Sequence, residues 1–445
     1  MNLRKIAPVA LGLTALFGLT ACAPGADQAG SGASGDITLR LWDEKAAEAY
    51  ETSIEQFEAA NPGIHVEVNV VPWDDYFNTL RNDVGSGSAD DIFWLNGAYY
   101  EDYATNGHLL AIDETLGADA QKGWNESVVK QYTKDDHLWG VPQLTDGGSA
   151  IYYNDEALKA AGVTPEEISK ATWNPSDPTK DTFLPILQKL TIDANGKNAL
   201  DPAFDASNIK QYGFNAGQDL QNIMLNFIGS NGGSFQDENA KLTFTDPKTV
   251  EAFTYLVKLI NEYHVAPPAS STNDDGDFTR DEFLAGNIAL FESGTYNLAN
   301  VQEGASFTWG VTEMPAGPEG KVTAAPGIIA AANANTKNPQ AVKAFLSWIG
   351  SADGNKAFGE SGTAVPAVTD ARASYDSYWQ QQGVDVKPFF TVIENDAKTL
   401  PPVIGQNFGA MLDAYKPSLN DVFLGKVAPA DGLKQAEEKG NAAAK

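Results

Sequence analysis

The chain has 445 residues, of which 42% are hydrophobic, and its 59 acidic residues outnumber 30 basic ones, giving a formal charge of −29. This hydrophobic content is enough for packed cores, and the length is too great for one ordinary core, so we expect two lobes. The acidity excludes nucleic acid as a partner, because phosphate backbones need basic surface. It also disfavours adsorption of the protein body to an anionic membrane.

The N-terminus has the pattern of a secretory signal peptide. Arg4 and Lys5 precede a mostly apolar segment, residues 6–19, and small residues follow it. The apolar segment is shorter than the roughly 20 residues that span a bilayer, and Pro8 and Gly12 interrupt it. The pattern therefore predicts a cleaved signal peptide over residues 1–21 rather than a membrane-spanning helix.

Leu19-Thr20-Ala21-Cys22 resembles the lipobox of bacterial lipoproteins, which implies that Cys22 is acylated and anchors the mature chain to the membrane. Cys22 is the single cysteine, so no intramolecular disulfide is possible. Residues 22–35 are rich in Pro, Gly, Ala and Ser and predict a flexible tether. After cleavage, 28 basic residues remain against 59 acidic ones, a formal charge of −31. The expected location is the extracellular side of the bacterial cytoplasmic membrane.

Strands and helices alternate after the tether. The hydrophobic periodicity predicts strands at 37–42, 64–71 and 91–95, separated by a helix that ends at Asn61-Pro62-Gly63 and a second helix over 73–84. This βαβαβ order is typical of a mostly parallel, helix-covered sheet. Further amphipathic helices are predicted at 250–263 and 339–350.

Motifs for metals, cofactors and covalent catalysis are missing from the sequence. His65, His108, His137 and His264 are scattered singly, and residues 273–277 lack the glycine and glutamate offsets of an EF-hand loop. No nucleophile elbow, Walker loop or dinucleotide fingerprint occurs. We therefore expect no metal and no cofactor. A glycosidase needs only two carboxylates in a cleft, so that class stays open.

Several segments, taken together and in order, resemble one protein family. They are TLRLW from Thr38, FEAANPGIHV from Phe57, DIFWLNG from Asp91, GVPQ from Gly140, AIYYN from Ala150, FLAGNIAL from Phe283, GTY from Gly294, APGI from Ala325 and GTAVP from Gly362. The chain resembles extracellular solute-binding protein family 1, the maltose-binding-protein-like family. The segments cover most of the mature chain.

The resemblance implies an α/β fold of the two-lobe, type II periplasmic-binding-protein kind. Each lobe is expected to be a mostly parallel, helix-covered sheet that is discontinuous in sequence. The N-terminal lobe is expected at 36–144 plus 327–368, and the C-terminal lobe at 145–326 plus 369–439. Ligand would lie in the cleft between them, at the carboxyl ends of the strands.

The resemblance also implies a function without catalysis. We expect a monomeric receptor that captures a neutral mono- or oligosaccharide and delivers it to the permease of an ABC importer. Aromatic rings would stack on sugar faces, and an acidic cleft favours neutral or cationic ligands over phosphates. Two alternatives stay open. One is a different cargo, such as a peptide, a polyamine or a glycerol-phosphodiester, and the other is a lipid-anchored glycoside hydrolase.

By position in the family pattern, the resemblance implies ligand contacts in the first half of the chain from Trp42, Asp43 and Lys45 at the end of the first strand, from Asn96 at the end of the third and from Asp146 at the first crossover. Most of these residues also have a structural alternative, and Lys45 could simply be solvated. Asp43 could cap the following helix, Asn96 could form a turn, and the crossover could serve only as a hinge.

In the second half, the resemblance implies polar ligand contacts from Gln221 and Asn222 at the start of an apolar helix, and the alternative role of this segment is to cap that helix through Asp219. Tyr296 and Phe408 fall where the family more usually has stacking tryptophans, although either ring could instead belong to the core. These replacements argue against assuming maltose itself as the ligand.

Overall fold

The computed structural model of the protein describes residues 33–394, 399–400 and 402–444. The predicted signal peptide, Cys22 and the tether as far as residue 32 lie outside these residues. Within the described part of the chain, no helix has the length and apolar character needed to cross a bilayer.

The strands, in chain order, are β1 (Gly35–Leu41), β2 (Ile64–Val70), β3 (Ile92–Leu95), β4 (Thr133–Lys134), β5 (His137–Leu138), β6 (Val141–Thr145), β7 (Ala150–Asn154), β8 (Ile192–Asp193), β9 (Ile209–Gln211), β10 (Leu290–Ser293), β11 (Trp309–Thr312) and β12 (Gly327–Ala332). The three strands predicted nearest the N-terminus are confirmed as β1, β2 and β3.

The α-helices are α1 (Glu44–Ala60), α2 (Trp73–Ser86), α3 (Tyr100–Thr105), α4 (Ile112–Leu116), α5 (Glu126–Gln131), α6 (Asp155–Ala161), α7 (Pro165–Ser169), α8 (Phe183–Leu190), α9 (Leu225–Ser230), α10 (Pro247–Asn261), α11 (Ala269–Thr272), α12 (Phe278–Leu284), α13 (Leu298–Gly304), α14 (Pro339–Ile349), α15 (Ala352–Glu360), α16 (Arg372–Gln382), α17 (Pro388–Glu394), α18 (Phe408–Phe423) and α19 (Pro429–Ala443). A π-helical turn, Leu220–Met224, precedes α9, and short 3-10 turns lie at Ala118–Gln121, Pro178–Lys180, Thr295–Asn297 and Thr369–Ala371. The predicted helices at 73–84, 250–263 and 339–350 are confirmed as α2, α10 and α14.

The first lobe is built on a five-stranded sheet with the order β2-β1-β3-β12-β6. Strand β1 is parallel to β2 and to β3, which confirms the βαβαβ unit. Leu39, Phe93 and Ile329 from this sheet are fully buried and share one core with Phe345 of α14. The carboxyl ends of β1 and β3 therefore lie at the same edge of a rigid sheet.

The second lobe contains a three-stranded sheet with the order β10-β7-β11. Alternate residues of its strands face two cores, because Ile151 packs with the helices α8, α9 and α10, and Tyr152 packs with α16 and α17. Two sheets with separate cores give the chain the two-lobe fold. The sequence limits of the lobes, 36–144 plus 327–368 and 145–326 plus 369–439, stay a prediction.

The prediction of mostly parallel sheets is wrong for the second lobe. Strands β10 and β11 both run antiparallel to β7, and in the first lobe β12 runs antiparallel to β3 and to β6. The physical reason lies in the connections. Strand β12 returns from the other lobe rather than through a helical crossover within its own sheet, so the rule that makes βαβ units parallel does not apply to it.

A buried ion pair joins β1 to the end of α2. The Arg40 Nε donates to Asp90 Oδ2 at 2.5 Å, and its Nη2 donates to Asp83 Oδ2 at 2.5 Å. Arg40 is 6% exposed and Asp90 is 8% exposed. Burial alone would lower the pKa of Arg40, but the hydrogen bond to Asp83 and the charge of Asp90 raise it above its ordinary value. The guanidinium therefore stays charged in the interior.

Candidate binding site

The edge of the first sheet at the end of β1 carries an aromatic cluster. The ring of Trp42 meets those of Trp73, Tyr76 and Trp94 edge to face, at centroid distances of 5.3, 4.9 and 5.1 Å. Trp42 is half-buried and Tyr76 is fully buried. This packing fixes the orientation of the half-exposed ring of Trp73, which begins α2.

Asp43 has a structural role in this edge. Its Oδ1 accepts a hydrogen bond from the backbone N–H of Ala46 at 2.8 Å and caps α1. Burial raises the pKa of Asp43, while backbone hydrogen bonds and the charge of Arg280 oppose the shift and Asp277 adds to it. Both of these facing groups belong to the second lobe, so Asp43 lies where the two lobes meet.

Asn96 makes a turn at the end of β3. Its side chain is 4% exposed, and its Oδ1 accepts the backbone N–H of Ala98 at 3.1 Å. This hydrogen bond is typical of a turn, which was the structural alternative to a ligand contact for Asn96. The side-chain oxygen of Asn96 is thus engaged by the backbone two residues further along the chain.

Asp146 connects the crossover after β6 to the turn at Gly294 and Thr295, which follows β10 and which we call the corner. Its Oδ1 accepts the hydroxyl of Thr295 at 2.8 Å and the backbone N–H of Gly147 at 2.8 Å. Burial raises the pKa of Asp146, and these hydrogen bonds oppose the shift. A Cβ on Gly294 would come within 2.9 Å of Asp146 Oδ2, so only glycine lets the corner approach so closely. The carboxylate thereby holds the backbone immediately before Tyr296 in place.

The π-helical turn presents Asn222 to the same corner. Asp219 caps the turn by accepting the backbone N–H groups of Gln221 and Asn222 at 3.0 and 2.9 Å. The Asn222 Nδ2 donates to Tyr296 Oη at 2.7 Å, and its Oδ1 accepts the hydroxyl of Ser149 at 2.9 Å. Gln221 is half-buried. Single π-turns are frequent at functional sites, because the extra residue re-aims the side chains that follow.

Tyr296 combines a fixed hydroxyl with an open ring. The residue is 37% exposed, whereas its Oη accepts from Asn222 and from the hydroxyl of Ser293 at 3.3 Å. Burial of the hydroxyl raises the pKa of Tyr296 above its ordinary value, so the phenol stays neutral. An aromatic face held in this way can stack against an apolar surface of a ligand.

Phe408 offers no such face. It is 2% exposed at the start of α18, where it packs in the core of the second lobe and meets the ring of Tyr99 edge to face at 5.3 Å. Core packing, the alternative that the sequence left open, therefore accounts for its position in this structure.

Sequence reasoning missed Trp73. The residue is 46% exposed and its ring lies close to the second lobe, since a Cβ on Gly276 would come within 3.7 Å of Trp73 Cδ1. The signal was available, because Trp73 lies two residues after the second predicted strand. Ligands of open α/β sheets bind at that end of the strands.

Comparison with known proteins assigns the family. The family model described as bacterial extracellular solute-binding protein matches residues 42–356. The chain belongs to this family. A curated relative, the maltodextrin-binding protein MdxE of Bacillus subtilis, is 26% identical over 362 residues, covering 81% of this chain and 80% of its own. A probable ABC transporter-binding protein of Deinococcus radiodurans is 27% identical over 339 residues, 74% of each chain.

Among solved structures, UspC of M. tuberculosis is 48% identical, with a TM-score of 0.71, and the match covers 92% of this chain and 100% of that one. The Listeria monocytogenes ABC substrate-binding protein Lmo0181, solved in complex with cycloalternan, superposes with a TM-score of 0.76 at 22% identity, covering 92% and 98%. The protein is thus a maltose-binding-protein-like substrate-binding protein of an ABC transporter, and these neighbours are binding proteins rather than enzymes.

Among the described residues, polar groups of the two lobes of the solute-binding protein touch at several places, and we call three of these contacts the rim contacts. They are Lys45 Nζ to Glu303 Oε2 at 2.8 Å, Arg81 Nη2 to Asp413 Oδ2 at 3.6 Å, and the Asn407 N–H to Asp102 Oδ1 at 2.7 Å. They join α1 to α13, α2 to α18, and α3 to the start of α18. Lys45 therefore bridges the lobes in this structure, and it also pairs with Glu48 of its own helix at 3.2 Å.

The first rim contact predicts a small, coupled effect on ligand affinity. Replacing Lys45 by alanine should raise Kd by up to about fivefold, because the pair is partly exposed and such pairs contribute about 0.2–1 kcal/mol. Glu303→Ala should raise Kd by the same factor. The double variant should raise Kd no further than either single substitution does. Calorimetric titration of the four proteins measures this coupling. If Lys45→Ala still weakens binding in the Glu303→Ala background, Lys45 contacts the ligand directly.

Proposed function

We propose that this substrate-binding protein captures a neutral mono- or oligosaccharide between its lobes and passes it to a membrane permease. The observation that carries the proposal is Tyr296, whose ring is open while its hydroxyl is held by Asn222 at 2.7 Å. The C–H face of a sugar ring packs on such a surface, and carboxylate and amide groups around it bind hydroxyls. The name of the relative MdxE, a maltodextrin-binding protein, supports the same ligand class.

Charge favours a neutral sugar over a phosphodiester cargo. Arg280, whose charge acts on Asp43, is already paired with Asp277 at 2.8 Å and with Asp281 at 2.9 Å. A phosphate would have to displace these carboxylates in a protein of strongly negative charge. A glycerol-phosphodiester is therefore the weaker candidate.

The remaining parts of the proposal come from the sequence. Lipid on Cys22 would hold a monomeric receptor at the extracellular side of the cytoplasmic membrane, close to its permease. Asp43, Asp146, Gln221 and Asn222 would bind hydroxyls through the polar atoms that ligand entry frees. Trp42 and Lys45 would border the same cleft, whereas Asn96 and Phe408 would first have to leave the contacts described above.

A thermal-shift screen against a panel of oligosaccharides tests the ligand class. The matching sugar should raise Tm, since a ligand at 100 times its Kd stabilises the folded state by about 2.7 kcal/mol. Chromatography of the same samples should recover the sugar unchanged. A panel without any shift would overturn the saccharide assignment, and release of shorter sugars would establish the glycoside hydrolase instead.

A further inference from the structure

A buried carboxyl group lies next to the anchoring network of Tyr296. Glu292 on β10 is 0% exposed. Its Oε1 accepts the side-chain amide of Asn226 at 2.9 Å, and among the described residues Oε2 has no hydrogen-bond partner. The backbone N–H and C=O of Glu292 are both bonded to the side chain of Asn215, at 2.8 and 3.0 Å. The carboxyl group is thus fixed at both its backbone and its side chain.

Hydrogen bonds, joined through the covalent frame of Asn222, connect this carboxyl group to the hydroxyl of Tyr296. The Asn226 Nδ2 that contacts Glu292 also donates to the carbonyl of Asn222 at 2.5 Å, and the side chain of Asn222 donates to Tyr296 Oη at 2.7 Å. Asn226 is 0% exposed and Asn222 is 4% exposed. Water therefore has little access to replace a hydrogen bond that is lost. A change at one end of this hydrogen-bonded network alters the hydrogen bonds at its other end.

We propose that Glu292 is a positioning residue of the saccharide site, acting as a neutral carboxylic acid through Asn226 and Asn222 on the ring of Tyr296. This inference rests on the proposed function of the same site. It concerns a group that does not touch the ligand, because Glu292 is buried beneath the residues that do.

The surroundings of Glu292 favour the neutral form. Burial raises the pKa of Glu292 to about 8; the hydrogen bond from Asn226 opposes this shift, and the charge of Asp219 adds to it. Asp219, which caps the π-turn, is the charged group that acts on Glu292. Tyr152 of the paired strand β7 faces the other side of the sheet, because Glu292 is paired with Ile151, and the hydroxyl of Tyr296 lies at the far end of the network. Among the described residues, no ion pair includes Glu292. Ionisation therefore requires water or a movement of Asn226.

The sign of the pH effect follows. The folded-state pKa is higher than that of a free glutamate, so the favourable protonated state is lost as pH rises through about 8. A ligand that covers Tyr296 removes water from above the network and favours protonation further. Ligand binding and protonation of Glu292 should therefore promote each other, and affinity should fall on the alkaline side.

The test compares the pH profile of saccharide affinity in the wild type, Glu292→Gln and Glu292→Ala, with Glu282→Gln on α12 as the matched control. The probe is the oligosaccharide that gives the largest thermal shift, titrated calorimetrically between about pH 6 and 9.5. Wild type and control should lose on the order of tenfold in affinity across this range. Glu292→Gln, which is neutral throughout, should bind like the wild type at pH 6 and show no alkaline loss.

Each outcome decides a separate question. A Glu292→Gln protein with the wild-type pH profile would overturn the inference, even if Glu292→Ala fails to fold. Folded Glu292→Ala with unchanged affinity would also overturn it. If the wild type binds no saccharide at any pH, the proposed function itself fails and takes this inference with it.

Discussion

Replacing Tyr296 by alanine should weaken saccharide binding by about 1–3 kcal/mol, a rise in Kd of roughly 5- to 150-fold. The residue is 37% exposed although Asn222 and Ser293 hold its hydroxyl. A sugar that stacks there meets a surface that is already ordered, so truncation removes contact area and also the anchoring that prepares it. Calorimetric titration with the identified sugar measures the loss.

Two controls separate stacking from folding. Tyr296→Phe keeps the ring and removes the hydroxyl, so it should weaken binding less than alanine does and report the contribution of the hydrogen bonds from Asn222 and Ser293. Leu200, another large side chain of the second lobe, is 48% exposed, and Leu200→Ala should leave Kd unchanged. Unaltered affinity in a folded Tyr296→Ala protein would remove Tyr296 from the site.

Replacing Asp90 by alanine should lower the free energy of unfolding by about 3–5 kcal/mol. The substitution removes the better buried of the two carboxylates that pair with Arg40 and leaves a charged guanidinium in the interior. Asn69, whose Nδ2 donates to Asp90 at 3.2 Å, loses its partner as well. Urea denaturation followed by circular dichroism measures the difference as a lower midpoint with an unchanged slope.

Asp83 provides the comparison on the same guanidinium. Its side chain is 33% exposed against 7% for Asp90, so water can replace part of what Asp83→Ala removes. We expect the smaller loss for Asp83→Ala. Equal losses would show that burial does not decide the strength of this pair. Arg40 lies in the strand before Trp42, and a thermal-shift titration of Asp90→Ala therefore also shows whether the binding edge tolerates a weakened β1.

The local structure of the first lobe could be predicted from the sequence, whereas little of the sheet in the second lobe could. Strands β1 to β3 and helices α2, α10 and α14 follow from periodicity, because each has one face or both faces in a core. The antiparallel pairing of β10 and β11 with β7 cannot be predicted from the residues of these strands alone. It depends on how distant segments return to the sheet, which side-chain spacing does not record.

The site was foreseeable where a side chain's role follows from its position on an element. Tyr296 comes just after β10, and the structure gives it an open ring. Asn96 and Phe408 occupy equally plausible positions, but a turn and a core contact engage them, and these depend on tertiary neighbours such as Tyr99. Glu292 was passed over because a single glutamate within a strand looks like a solvated position until its burial is known.

The direction of β1 has a mechanical consequence. The strand begins at Gly35 and ends next to Trp42, and its seven residues hold these ends roughly 20 Å apart. All seven pair with β2 in parallel register. A pull on the chain upstream of Gly35 would act along the strand and load these hydrogen bonds together rather than one after another. The edge at the opposite end of the strand, where we propose that ligand binds, is separated from such a pull by the whole length of β1.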